Sequence, residues 1–104
     1  MNDLNSILLE GVVRISPIYT EHKDGLTVRF VLESTRRPKE SEPVTIFMPI
    51  DAHGRLAETL RAKYRPDTYI RVVGRLAHNS QPSAPPAVII EAEHIEFRAF
   101  SNLT

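Results

Sequence analysis

The chain's 104 residues leave room for one domain, since a chain of this size buries about 60 to 70% of its unfolded surface and cannot build a second core. An apolar fraction of 41% and a charged fraction of 25% are those of an ordinary soluble globular domain, which excludes disordered and fibrous classes. Thirteen basic and thirteen acidic residues cancel and there is no cysteine, so neither net attraction to a polyanion nor a disulfide framework or thiolate metal site is expected.

Residues 4–16 place Ile7, Leu9, Val13 and Ile15 at odd positions and Glu10 and Arg14 at even ones, the period of a half-buried strand. Gly11 interrupts the pattern, and a glycine in a strand predicts a bulge or bend by which one coiled strand serves both halves of a small barrel. Residues 17–25 read as a turn, and a second strand follows in which Leu26, Val28, Phe30 and Leu32 alternate with Thr27, Arg29, Val31 and Glu33. The polar stretch STRRPKESEP, residues 34–43, is a loop by its two prolines and mixed charges, before a short strand over residues 44–48.

One helix is expected, started by Asp51 or His53, with Leu56, Ala57, Leu60 and Tyr64 on one face and Pro66 ending it. The cleanest alternation follows, at residues 69–76: Ile70, Val72, Gly74 and Leu76 on one face, Tyr69, Arg71, Val73 and Arg75 on the other. The stretch AHNSQPSAPP reads as an exposed loop, and residues 87–97 as the last strand. The predicted fold class is therefore all-β, a five-stranded OB-fold barrel with one short helix between its third and fourth strands, filling residues 1–104 with a core at about 4–98.

The segments LNSILLEG, LTVRFVLES and LAETLRAKYRPDTYIRVVGRL resemble the bacterial single-stranded DNA-binding protein family over roughly nine tenths of the chain by order and spacing. RFVLE, the MP of FMPI and EAEHIEF also resemble the related primosomal replication protein N group. The resemblance implies sequence-nonspecific single-stranded DNA binding in replication, recombination or repair, by a homo-oligomer (tetramer or dimer), with replication or repair proteins as further partners. A primosomal protein N-like or degenerate protein-interaction module with weak DNA affinity is the alternative. Three features depart from the larger family: there is no tryptophan, where the family stacks bases on Trp; the chain ends at Thr104 without a Gly/Pro-rich linker and acidic tip; and a proline-rich loop at residues 81–86 replaces a basic, aromatic hairpin.

A binder of this kind needs cations that track phosphates and flat rings on which bases stack. The resemblance places Phe47 where the family has a stacking aromatic, and Tyr69, Arg71 and Arg75 share the outward face of the fourth strand. Arg29, with Arg36, Arg37 and Lys39 in the following loop, extends the path. Each has a plainer reading as well: Phe47 between Ile46 and Met48 fits a core position equally, Tyr69 fits a barrel cap, and the arginines and the loop group fit a solvated surface. Glu91, Glu93 and Glu96 would repel phosphate in the same groove and are expected to face elsewhere. His22, His53, His78 and His94 show no paired ligand spacing, and no nucleophile or phosphate-cradle motif occurs, so neither metal, cofactor nor enzymatic activity is expected. No apolar run approaches membrane-spanning length, and the opening MNDLNSILLEG lacks a basic region, so a cytoplasmic location is expected.

Overall fold

The structure, a computed structural model, describes residues 1–79 and 85–98. Its elements are β1 (Ile7–Val13), β2 (Ile18–His22), β3 (Gly25–Arg36), β4 (Val44–His53), the helix α1 (Arg55–Lys63), β5 (Thr68–His78) and β6 (Val88–Arg98). The strands hydrogen-bond in the order β1-β5-β6-β4-β3-β2, and β1 also bridges β3 through Val12 and Glu33, which closes the sheet into a barrel. All neighbours are antiparallel except β4 and β6, which run parallel through Ile50–Ile90 and Asp51–Glu91.

The period-2 pattern sets what lies inside. Leu26, Val28, Phe30 and Leu32 from β3, Ile50 and Ala52 from β4, Ile70 and Val72 from β5, and Ile90, Ala92 and Ile95 from β6 form one buried core with Val13. A buried Leu, Ile or Phe side chain contributes about 1.5 to 3 kcal/mol. The helix plugs this core with the face expected of it: Ala57 and Leu60 are buried, and Leu56 and Tyr64 pack against the same cluster.

The helix begins later than expected, because Asp51 and His53 still belong to β4 and the turn is made at Gly54, whose φ of 63 favours glycine. The Gly54 amide donates to the Leu26 carbonyl at 2.7 Å, tying the helix start to β3. Glu58 in the first turn and Arg61 and Lys63 in the last suit the helix dipole. Tyr64 is already extended, two residues ahead of Pro66.

Three expectations about the strands change. The stretch read as a turn contains β2, so the long first strand is two segments separated at residues 14–17: β1 pairs with β5, and β2 with β3. With β1 and β2 as halves of one strand, the helix still lies between the third and fourth. Gly11 is not a bulge but stays in register with Ile70. A side chain there would put its Cβ 2.3 Å from the Glu33 carbonyl oxygen, so the glycine lets β1 cross β3 closely. The bulge lies instead between β5 and β6, where Val73 faces His94 and Gly74 faces Ala92, leaving Glu93 as the extra residue.

Candidate nucleic-acid interface

The register gathers part of the predicted site into one row. Phe47 on β4 faces Glu33 on β3, Glu33 faces Val12 on β1, Val12 faces Tyr69 on β5, and Tyr69 faces Arg98 on β6. Phe47 is 63% exposed, which resolves the parity that strand alternation left open: Ile50 and Ala52 point inward, so Phe47 points out. Tyr69 is half-buried. The two rings are three strand spacings apart on this row, about 14 Å at the usual interstrand distance.

Beyond Phe47, β3 and β4 continue as an arm on which Thr35 and Thr45 share a side-chain hydrogen bond of 2.8 Å. Val44 and Ile46 are exposed on it. Arg36 ends β3, and Arg37 and Lys39 lie in the loop at the arm's tip. All three are exposed, and none forms an ion pair among the described residues. On the far side of Tyr69, Lys63, Arg65, Phe97 and Arg98 line a shallow depression with Asp67 at the end of the helix. The Lys63 ammonium there sits 5.2 Å from the centre of the Phe97 ring.

The strand arginines are not free. Arg71 donates to Glu10 Oε2 through Nη2 at 2.6 Å and Nε at 2.8 Å, and its Nη1 lies 3.6 Å from Glu96. Arg98 approaches the same two carboxylates, at 3.5 Å from Glu10 and 3.4 Å from Glu96. Arg75 pairs with Glu91 and lies 3.8 Å from Glu93. The expectation that Glu91, Glu93 and Glu96 face elsewhere is therefore corrected. Antiparallel pairing sets Glu96 opposite Arg71, and the bulge at Glu93 shifts the period so that Glu91 lies opposite Arg75.

Arg29 lies in a second row, where Arg29 on β3 faces Asp51 on β4, Asp51 faces Glu91 on β6, and Glu91 faces Arg75 on β5. Its guanidinium is bidentate on Asp51, at 2.5 and 2.8 Å, and also donates to Asn79 Oδ1 at 3.2 Å. The hydrogen bond to Asp51 raises the Arg29 pKa further above its already high ordinary value. His53 Nε2 stands 3.4 Å from Glu91. The eight predicted residues thus divide: Phe47, Tyr69 and Arg71 lie on or beside the first row, Arg36, Arg37 and Lys39 at the arm's tip, and Arg29 and Arg75 in the second row.

Sequence reasoning missed Arg98, Lys63, Arg65 and Glu10. The parity of Glu10 with Leu8 and Val12 was legible, but its pairing with Arg71 depends on a register set 61 residues away. The proline-rich loop at residues 81–86 lies partly outside the described residues. Among the described residues, no three His, Asp or Glu side chains cluster as a metal site, and no helix is long and apolar enough to cross a membrane.

No protein-family model and no curated protein sequence matches the chain. Solved structures do. The small single-stranded DNA-binding protein of Streptomyces coelicolor superposes with a TM-score of 0.75 at 26% identity, over 94% of this chain and 95% of that one. The single-stranded DNA-binding protein of Thermus aquaticus gives a TM-score of 0.78 at 22% identity, over 93% of this chain and 51% of that one. The protein PriB of Ralstonia solanacearum gives 0.74 at 18% identity, over 93% of this chain and all of that one. The barrel is thus similar to both groups that the sequence resembles.

Proposed function

We propose that this chain binds single-stranded DNA without sequence preference, in DNA replication, recombination or repair, and is not an enzyme. The observation that carries the reading is the registered row holding the exposed Phe47 and the half-buried Tyr69, with cations at the arm beyond it that form no ion pair among the described residues, on a barrel that superposes along nearly its whole length with the small Streptomyces protein. In this reading Phe47 and Tyr69 stack bases, at about 1 to 3 kcal/mol each. Arg36, Arg37 and Lys39 hold phosphates on one side, and Arg71 with Arg98 does so on the other. Arg29 and Arg75 brace the second row. Homo-oligomerisation as a dimer or tetramer in the cytoplasm belongs to the proposal, supported by the 65% exposure of Leu8 on the outward face of β1.

The zero net charge and the carboxylate partners of Arg29, Arg71 and Arg75 favour a second reading, a PriB-like or degenerate protein-interaction module with weak DNA affinity. Fluorescence anisotropy of a labelled oligo(dT) of about 35 nucleotides, long enough to span more than one barrel, separates the two. Single-strand binding that weakens between about 50 and 200 mM salt, with an equally long duplex left unbound, supports the first. No binding at the lower salt overturns it in favour of the second.

A further inference from the structure

Glu10 is shared by two arginines. Its Oε2 accepts from Arg71 at 2.6 and 2.8 Å and lies 3.5 Å from Arg98, while Glu96 approaches the same two guanidinium groups at 3.6 and 3.4 Å. Two positive and two negative side chains from three adjacent strands thus form one neutral cluster. The cluster sits beside Tyr69, and each member keeps between 37 and 48% of its side-chain surface in solvent. A carboxylate and a phosphate each offer two acceptor oxygens to the guanidinium fork, so they compete for the same donors. Because the cluster is solvent-accessible, an incoming phosphate can exchange with a carboxylate without a buried charge being left behind.

We propose that Glu10, with Glu96 as its second, is a built-in competitor for the phosphate backbone: it occupies Arg71 and Arg98 when no strand is bound and lowers the affinity of this side of the barrel. The proposal rests on the single-stranded DNA reading above and adds the residues that set its strength. Binding then exchanges carboxylate for phosphate on Arg71 and Arg98, while Arg36, Arg37 and Lys39 have no ion pair to displace among the described residues. The two ends of the interface differ accordingly in what binding must displace.

The test is oligo(dT) anisotropy with Glu10→Gln, Glu96→Gln and, as a control with the same change of net charge, Glu58→Gln on the exposed side of the helix, each checked for an unchanged melting temperature. Glu10→Gln is expected to tighten binding about fivefold to tenfold and Glu96→Gln less, with Glu58→Gln near the wild type. The gain should vanish when Arg71 and Arg98 are both replaced by Gln. Tightening by Glu58→Gln equal to that by Glu10→Gln, or a gain that survives loss of both arginines, overturns the competitor role while leaving the DNA reading intact. Binding by neither the wild type nor Glu10→Gln overturns both. If Glu10→Gln melts early, Glu96→Gln carries the same comparison.

Discussion

On the β3–β4–β6–β5 side of the barrel, Arg29 and Arg75 stand at the two ends of a charged ladder, with the carboxylates of Asp51 and Glu91 between them. On the β4–β3–β1–β5–β6 side, the row from Phe47 to Arg98 mixes an exposed ring, a half-buried tyrosine and an arginine pair that shares its carboxylates. Both sides are built from outward positions of the same strands, with arginine at the same parity. What differs is the neighbour. The ladder's Arg29 is bidentate on a carboxylate only 15% exposed, whereas the carboxylates beside Arg71 and Arg98 are 37% and 48% exposed; the proposed roles, brace for the first and phosphate ligand for the other two, follow that difference. In the proposed reading, how far its carboxylate is removed from water decides whether an outward arginine braces the barrel or is free to take a ligand.

The glycine crossings put the largest load on this contrast. A Cβ at Gly74 would lie 2.3 Å from the Glu91 carbonyl oxygen on the ladder side, as one at Gly11 would from Glu33 on the row side. Because backbone must move in each case, Gly74→Ala and Gly11→Ala should each cost about 3 kcal/mol of stability, read as a lowered urea midpoint at unchanged slope. A cost below about 1 kcal/mol at either site would mean that the strands there separate easily.

Next in size is Phe47→Ala, expected to remove about 2 kcal/mol of oligo(dT) binding while leaving the melting temperature nearly unchanged, since the ring is 63% exposed. A stability loss with unchanged binding would return Phe47 to a packing role. Asp51→Ala should do the reverse, costing about 1 to 2 kcal/mol of stability by stripping Arg29 of its partner, with oligo(dT) affinity unaltered. A change in affinity as large as that of Phe47→Ala would erase the distinction between the two sides. The smallest effects belong to the arm's tip, where Arg36→Ala, Arg37→Ala and Lys39→Ala should each lower the slope of log affinity against log salt by about 0.7. Unchanged slopes for all three would remove the arm from the interface.

The barrel's interior was legible because it is written at short range. Val28, Phe30 and Leu32, or Ile70 and Val72, need only two-residue alternation to declare a buried face, and Ala57 and Leu60 only a turn of helix. The strand at Ile18–His22 was not legible, since four of its five residues are exposed and it forms by pairing with β3 alone. Nor was the bulge at Glu93, which turns the parity of β6 halfway along its length. The candidate site was legible as residue types, through Phe47, Tyr69 and the basic residues, but not as a surface.

Local order of apolar and polar side chains thus dictated a closed barrel with one plugging helix, because each burial decision is made by a residue and its near neighbours. Which charges meet was decided only when distant strands paired: Glu10 with Arg71, Asp51 with Arg29 and Glu91 with Arg75 are partners across 61, 22 and 16 residues. Those registers follow from core packing, not from the charges themselves. A one-residue slip would turn the apolar face outward at a cost far above that of any surface ion pair, so the charged side chains take the neighbours that the core assigns to them.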